Sequence, residues 1–369
     1  MMNVKSIRLI NFRNYNSIDV NFNKNINLFI GKNAQGKTNL LEAIYMCSMG
    51  KSFRTNRDKD IINFEKKEAY IGADLEIGNF NRFIELKLDR ERPKIIRVNK
   101  NELKNQKELY SGLSIVVFNP DDLKIVKDGP QERRTFLDQG ISQLKPVYHH
   151  NLGRYLNVLY QRSKILKSGK FKRDISLLDV FDSQLARLGT SIIMERYAFI
   201  RELSEISKNI HYNLTHGKES LDIKYSTNVP ILEKGQDMEK RYLRLLKDNN
   251  LRDLEYGNTE IGPHRDDMLI FINGKDVRNF GSQGQQRTAV LTLKLAEVDF
   301  IKKDRGIYPI VLLDDVFSEL DEERRLYLTK SFKEMQTFIT MTDAVEIKSL
   351  GNMDKNIYEI EEGSLERRG

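Results

Sequence analysis

Short apolar runs bounded by polar and glycine-containing stretches dominate the first 145 residues. Residues 4–10, 26–30, 69–77, 83–88, 95–98 and 113–118 read as strands, and Asn39-Leu40-Leu41-Glu42-Ala43-Ile44 opens a helix. This mixture predicts an α/β core with a β-rich extension. From residue 146 to about residue 213 the strand signal fades and apolar residues recur at helical spacing. Leu178, Phe181, Leu185, Leu188 and Ile192 alternate by threes and fours, and Phe199, Leu203, Ile206 and Ile210 resume the pattern. That seam is coiled-coil-like. One helix over 174–212 would span roughly 58 Å. An earlier helix through Tyr148, Leu152, Tyr155, Leu159 and Leu166 is a candidate antiparallel partner, with a turn at 167–170. The pattern fits a projecting arm and a globular helical subdomain equally well.

A further helix is expected at 238–246 and a strand at 268–272. Asn273-Gly274 then signals a two-residue hairpin into 275–277. An amphipathic helix over 288–300 and a buried strand over 308–313 follow, the latter ending in Asp314-Asp315. The last dozen residues, rich in Glu and Arg, read as a solvated tail. The chain divides into 1–145, 146–255 and 256–369: two parts of an α/β head around a helical insert.

The strand at 26–30 leads directly into Gly31-Lys32-Asn33-Ala34-Gln35-Gly36-Lys37-Thr38, a complete G-x-x-x-x-G-K-[ST] phosphate loop. Gly31 and Gly36 permit a close approach that a Cβ would forbid, so that successive N–H groups point at phosphate oxygens. Lys37 reaches the β and γ phosphates of ATP, Thr38 offers its hydroxyl to Mg²⁺, and the following helix start favours the anion. Ala34 strains this turn only if its φ is positive.

Composition narrows the partners. At 369 residues, with 39% hydrophobic and 31% charged side chains, the chain can bury a substantial core. No run approaches the roughly 18 uninterrupted apolar residues of a membrane span, and the first residues lack a signal-peptide core, so a cytoplasmic protein without membrane contact is expected. The single cysteine, Cys47, falls in an apolar helix and reads as packing; with five His it forms no metal-ligand cluster. The net charge of +8 favours a polyanion, but 53 acidic residues make any basic surface local.

Four apolar residues before an acidic pair carry Asp314 to the C-terminal edge of a sheet, where α/β folds bind ligands. There Asp314 attends Mg²⁺, and Asp315 is placed to orient and deprotonate water, with a shorter reach than Glu and hence slow hydrolysis. Lys37 and Asp314 lie 277 positions apart, so something is inserted between two halves of one site. A head split by a helical insert is the arrangement of SMC-type proteins. Such heads carry a loop of small residues and Gln at a helix start, and Ser282-Gln283-Gly284-Gln285, 32 residues before Asp314, fits that slot. As an anion site it would serve a nucleotide bound to another copy, making dimerisation conditional on the γ phosphate. Ser318-Glu319-Leu320-Asp321 fits the short loop that crosses the same interface.

Six blocks in order, GKNAQGKTNLLEA from Gly31, FNPDDL from Phe118, GPQERRTFLD from Gly129, GPHRDD from Gly262, SQGQQRT from Ser282 and LLDDVFSELD from Leu312, resemble the RecF family of bacterial recombination and replication-repair ATPases. The resemblance implies an SMC-like head with a short helical arm, weak DNA-dependent ATPase activity and an ATP-dependent homodimer on DNA. It further implies work with RecR and RecO to load RecA at single-strand gaps, with duplex DNA and single/double-strand junctions bound without sequence preference. It leaves the γ-phosphate sensors unassigned, since Asn119 and Thr342-Asp343 stand where transporter-type heads use Gln and His.

No base-reading motif is present, so DNA contacts should go to phosphates. Candidates are Lys51, Arg54 and Arg57, the pair Arg133 and Arg134, and the cluster Arg162, Lys164, Lys167, Lys170, Lys172 and Arg173; each is equally a solvated charge. His264-Arg265 reads as an internal or ATP-proximal pair, or as a satisfied structural histidine.

Overall fold

The computed structural model describes residues 2–104, 109, 112–168, 178–231, 237–332, 334–342 and 354–368. The chain forms two units, Met1–Asp122 with Lys294–Gly369, and Leu123–Leu293. The first begins with β1 (Met2–Phe12), β2 (Tyr15–Asn21), β3 (Ile26–Ile30), α1 (Lys37–Met49), β4 (Glu68–Ile77), β5 (Phe80–Asp89), β6 (Ile95–Val98), β7 (Asn101–Glu102) and β8 (Ile115–Phe118). The second holds α2 (Lys124–Lys127), α3 (Pro130–Leu144), α4 (Pro146–Ser168), α5 (Asp179–Leu214), β9 (Leu221–Ser226), α6 (Met238–Asp248), α7 (Asn250–Tyr256), β10 (Asp267–Ile272), β11 (Lys275–Asp276) and α8 (Val277–Phe280). Helix α9 (Gln283–Arg305) returns the chain to the first unit, which ends with β12 (Ile310–Leu313), α10 (Glu322–Ser331), β13 (Thr337–Met341), β14 (Lys355–Glu361) and β15 (Ser364–Arg367).

The head unit contains two six-stranded sheets. One is antiparallel, in the order β2-β1-β4-β5-β6-β7. The other, β15-β14-β3-β13-β12-β8, is parallel except for the β14–β15 hairpin. Strands β8, β12 and β13 are buried at every position, as strands covered on both faces must be, which accounts for their unbroken apolar runs. A single hydrophobic core takes Leu9 and Ile71 from the antiparallel sheet, Phe29, Leu312 and Phe338 from the parallel one, and Leu40, Ile44 and Met46 from α1. Helix α1 is therefore buried nearly all round, and Cys47 is wholly buried in it.

The expected solvated tail is corrected: its residues build β14 and β15. Tyr358 and Ile360 are buried while Glu359 and Glu361 point outward, so the acidic composition belongs to alternate strand positions. The hairpin at Asn273-Gly274 forms with φ of 50° and 75°, the type I′ pattern, but Val277 begins α8 and does not extend the strand.

In the inserted unit α4 and α5 run antiparallel. Tyr148 meets Arg196, Asn151 meets Ser191 and Arg162 meets Asp182, so numbering rises along one helix as it falls along the other. Helix α5 has 36 residues, a length of about 54 Å. The seam residues Leu178, just before the helix, and Leu185, Leu188, Ile192, Phe199, Leu203 and Ile210 within it are buried, with α4, α6 and β9 packed against the helix. At Gly189 a Cβ would stand 2.5 Å from Tyr242 Cε1, so glycine lets α6 close on α5. Strands β11, β10 and β9 form an antiparallel sheet in the same unit. The unit thus takes in more than the helical texture of 146–255. Of the expected turn at 167–170, Lys167 and Ser168 still belong to α4, and 169 and 170 lie outside the described residues.

Candidate nucleotide site

Parallel β3 and β12 flank β13, and all three end at one edge of the sheet. The phosphate loop leaves β3 and closes on α1 with Gly36 at φ 117° as the residue before the helix. Ala34 has φ 67°, so the backbone strain conditional in the sequence is present. Lys37 is buried, its Nζ donating to the carbonyl oxygens of Gly31 at 2.7 Å and Lys32 at 3.2 Å and standing 3.9 Å from Asp315 Oδ1. The ammonium is thereby folded into the loop it would leave to meet phosphate.

Asp314, 7% exposed, sits just past β12, and its Oδ1 accepts from Thr38 Oγ1 at 2.8 Å and from Thr340 Oγ1 at 3.0 Å. Burial raises its pKa, against the lowering effect of the two hydroxyl hydrogen bonds. Asp315 has φ 51°, and its N–H donates to Thr340 Oγ1 at 2.8 Å. Sequence reasoning does not single out Thr340; its signal is a hydroxyl in a strand, TFITM, that also holds Thr337, one strand away from Asp314. Asn119 follows β8 at the same sheet edge, where Phe118 pairs with Leu313, and its Oδ1 is buried without a hydrogen-bond partner. A loop of backbone N–H groups, a lysine, two hydroxyls, two carboxylates and an orphaned carbonyl oxygen match the needs of a triphosphate with a divalent cation.

Two turns far apart in sequence hold the loop. From the β1–β2 turn, Asn14 Nδ2 donates to the Gln35 carbonyl at 2.8 Å and Tyr15 OH to the Gly36 carbonyl at 2.9 Å. From the β14–β15 turn, the Glu362 N–H donates to Gln35 Oε1 at 2.5 Å and the Gly363 N–H to the Gln35 carbonyl at 3.3 Å. A Cβ on Gly31 would stand 2.3 Å from the Ile360 carbonyl oxygen, so the hairpin also lies against the loop's first residue.

In the inserted unit, Ser282 caps α9: its Oγ accepts from the Gln285 N–H at 3.2 Å, and Gln285 Oε1 accepts from the Ser282 N–H at 2.9 Å. Gln285 Nε2 donates to Glu219 Oε1 at 2.8 Å, and the Glu219 carboxylate also meets His211 Nε2 at 3.2 Å. Ser282, Gln283 and Gly284 are exposed and Gln285 is half-buried.

The structure corrects several candidate phosphate contacts. Arg162 is fully buried, bonded to Asp182, Asp253, Thr259 and Asn250. Arg133 is buried in a bidentate pair with Asp267, and Arg134 donates to the Asp266 carbonyl. Arg54 donates to Asn39 and lies 3.6 Å from the buried Glu42, but it is exposed and stays a candidate. Arg133 and Arg162 lie on inward faces of their helices, where Asp267 and Asp182 meet them. Arg57, Lys164 and Lys167 are exposed, whereas Lys170, Lys172, Arg173 and Asp343 lie outside the described residues. His264 is the satisfied structural histidine, its Nε2 2.8 Å from the Thr259 carbonyl and its Nδ1 2.8 Å from Tyr155 OH.

A family model described as RecF/RecN/SMC N terminal domain matches residues 3–363. Over 367 residues the chain is 45% identical to the DNA replication and repair protein RecF of Alkaliphilus oremlandii (strain OhILAs), covering 99% of this chain and 100% of that one. The chain belongs to the RecF family. A solved structure described as the recombination mediator protein RecF-ATP in the RecFOR pathway matches with a TM-score of 0.92 and 34% identity over 100% of this chain and 98% of that one. An Smc head domain with an extended coiled coil from Pyrococcus furiosus matches with a TM-score of 0.57 and 16% identity over 100% and 96% of the two chains, a likeness of fold. The α/β head interrupted by a helical insertion, expected from the spacing of the motifs, is thus the fold of RecF and of SMC-type ATPase heads. RecF proteins are DNA replication and repair proteins and mediators of recombination.

Proposed function

We propose that this RecF-family chain is an ATP-operated switch that grips DNA in recombinational repair and replication restart. The observation that carries the reading is the Thr38–Asp314 hydrogen bond, which joins phosphate loop and acidic strand across 276 positions of sequence. Gly31 to Thr38 cradle the triphosphate, with Lys37 turning from its own loop carbonyls to the β and γ phosphates. Thr38 and Asp314 hold Mg²⁺, which when bound neutralises charge on the phosphate oxygens. Asp315 orients the attacking water and takes its proton, with slow hydrolysis from its short reach. Ser282, Gln283, Gly284 and Gln285 meet the γ phosphate held by a second copy, so that the homodimer persists only while ATP is intact. The similarity to RecF proteins of the RecFOR pathway supports DNA as the cargo, taken as duplex or single/double-strand junction by its phosphates, and RecR and RecO as partners in loading RecA at gaps.

The test is light scattering of the Asp315→Asn chain with and without ATP–Mg²⁺, beside a binding assay on gapped duplex DNA. A monomer that becomes a dimer and holds DNA only with ATP supports the switch. A monomer indifferent to ATP and to DNA would overturn it.

A further inference from the structure

Helix α4 contains no Asp or Glu over its 23 residues, while carrying Arg154, Arg162, Lys164 and Lys167. Arg162 turns inward and is neutralised by Asp182 and Asp253. The other three turn outward. Arg154, Asn157, Gln161, Lys164 and Lys167 are all exposed and recur by threes and fours, so they line one side of the helix. Every one of these side chains carries hydrogen-bond donors, and among the described residues no carboxylate pairs with Arg154, Lys164 or Lys167. Lys164 Nζ lies 4.5 Å from the centroid of the exposed Tyr160 ring, which steadies the ammonium at the surface without removing its charge. The neighbouring α5 differs: its exposed cations Arg187, Arg201 and Lys208 are interleaved with acids, and Lys208 is paired with Glu205 at 2.8 Å.

We infer that this outward stripe of α4 is a docking surface for the phosphate backbone of duplex DNA, resting on the DNA-binding function proposed above. From Arg154 to Lys167 the stripe runs about 20 Å, matching about six base-pair steps of a duplex. A face of donors and cations without carboxylates complements a polyanion. Asn157 and Gln161 add neutral donors between the cations, the arrangement that positions a backbone without reading bases.

The experiment titrates salt against binding of a blunt 30-base-pair duplex by the full chain with ATP–Mg²⁺. It compares the wild type with a triple Arg154→Ala, Lys164→Ala, Lys167→Ala variant and with an α6 control, Lys240→Ala, Arg241→Ala, Arg244→Ala, which removes equal charge from exposed positions of the same unit. ATP affinity and ATP-dependent dimerisation are measured on all three. The expected result is a loss of affinity of about tenfold or more and a slope of log K against log salt shallower by about 2 to 3 in the α4 variant. The control and both ATP readouts stay at the wild-type level. An α4 variant with wild-type slope and affinity, or a control that weakens equally, would overturn the stripe while leaving the switch intact. A wild-type chain that ignores duplex DNA at all salt concentrations would overturn the function proposed above together with it.

Discussion

Thr38 Oγ1 donates to Asp314 Oδ1 at 2.8 Å, although β3 and β12 are separated in the sheet by β13 and in the chain by the whole inserted unit. Thr340, on that intervening strand, donates to the same oxygen at 3.0 Å. Two hydroxyls therefore hold a buried carboxylate in place where a divalent cation is expected. Asp314→Asn keeps an acceptor for both and removes the charge. ATP affinity of the wild type should rise at least tenfold on adding Mg²⁺, and that of the variant should be the same with and without it, as read by calorimetry. Retained Mg²⁺ dependence in the variant would show that the cation is held elsewhere.

The phosphate loop depends on its clamps. Ala34 and Gly36 both have positive φ, so the loop's shape is not the one its residues prefer in isolation, and Gln35 between them is held from the C-terminal hairpin. Gly363 has φ 76°, and a Cβ there would stand 2.3 Å from the Asn14 carbonyl oxygen. Gly363→Ala should push the turn off Gln35 and Asn14, lowering ATP affinity about tenfold with little change in the far-ultraviolet spectrum. Wild-type ATP affinity would show that the loop keeps its shape without the hairpin.

Acid should find out His264. Burial lowers its pKa from 6.5 to about 4, and its partners fix the neutral form, since the Thr259 carbonyl takes the Nε2 proton and Nδ1 accepts from Tyr155 OH. In the unfolded chain the ring gains its proton near its ordinary value. The stabilisation is thus complete above about pH 6.5 and is lost as the pH falls toward 4. Between pH 7 and pH 4.5 the wild type should lose more melting temperature than His264→Gln. Parallel losses would mean that the ring titrates freely in the fold.

Arg162 ties α4 to α5 and α7 through Asp182, Asp253, Thr259 and Asn250, all in the inserted unit. Arg162→Met strands two buried carboxylates, at a cost of about 3–5 kcal/mol. Denaturant unfolding should show that loss, whereas Lys164→Met, on the exposed side of the same helix, should change stability by no more than about 0.5 kcal/mol. Equal effects would mean that the buried network contributes nothing beyond the surface charge.

What could be read from the sequence followed from how local each signal is. The phosphate loop, the strand ending in Asp314 and the Asn273-Gly274 turn are written in consecutive residues, and the structure has all three. Strands β14 and β2 resisted. In β14 the apolar positions alternate with glutamates, so composition looked like a tail while period-two burial made a strand. Tyr15-Asn16-Ser17-Ile18-Asp19-Val20-Asn21 hid β2 in the same way. Around the site, Thr340, Asn14 and the Glu362-Gly363 turn act through hydrogen bonds between residues distant in sequence, 327 positions for Glu362 to Gln35, which no local spacing encodes. For Arg133 and Arg162 a charge count could not reveal that Asp267 and Asp182 wait beneath the helix.

Ser282 separates nucleotide binding from dimerisation if the loop meets a second copy's γ phosphate. Its hydroxyl also caps α9 by accepting from the Gln285 N–H, so a substitution there has a local cost of about 1 kcal/mol that must be told apart from any effect on assembly. Ser282→Ala supplies that correction, because it removes the cap without adding bulk. Ser282→Arg removes the same cap and sets a long cation where a neighbouring copy would approach. Both variants should bind ATP with wild-type affinity, since the triphosphate cradle proposed here runs from Gly31 to Thr38. In light scattering with ATP–Mg²⁺, Ser282→Ala should dimerise several-fold more weakly than the wild type, and Ser282→Arg should remain monomeric. If Ser282→Arg still forms the ATP-dependent dimer at wild-type concentrations, the loop does not face a partner nucleotide and the dimer must close through another surface.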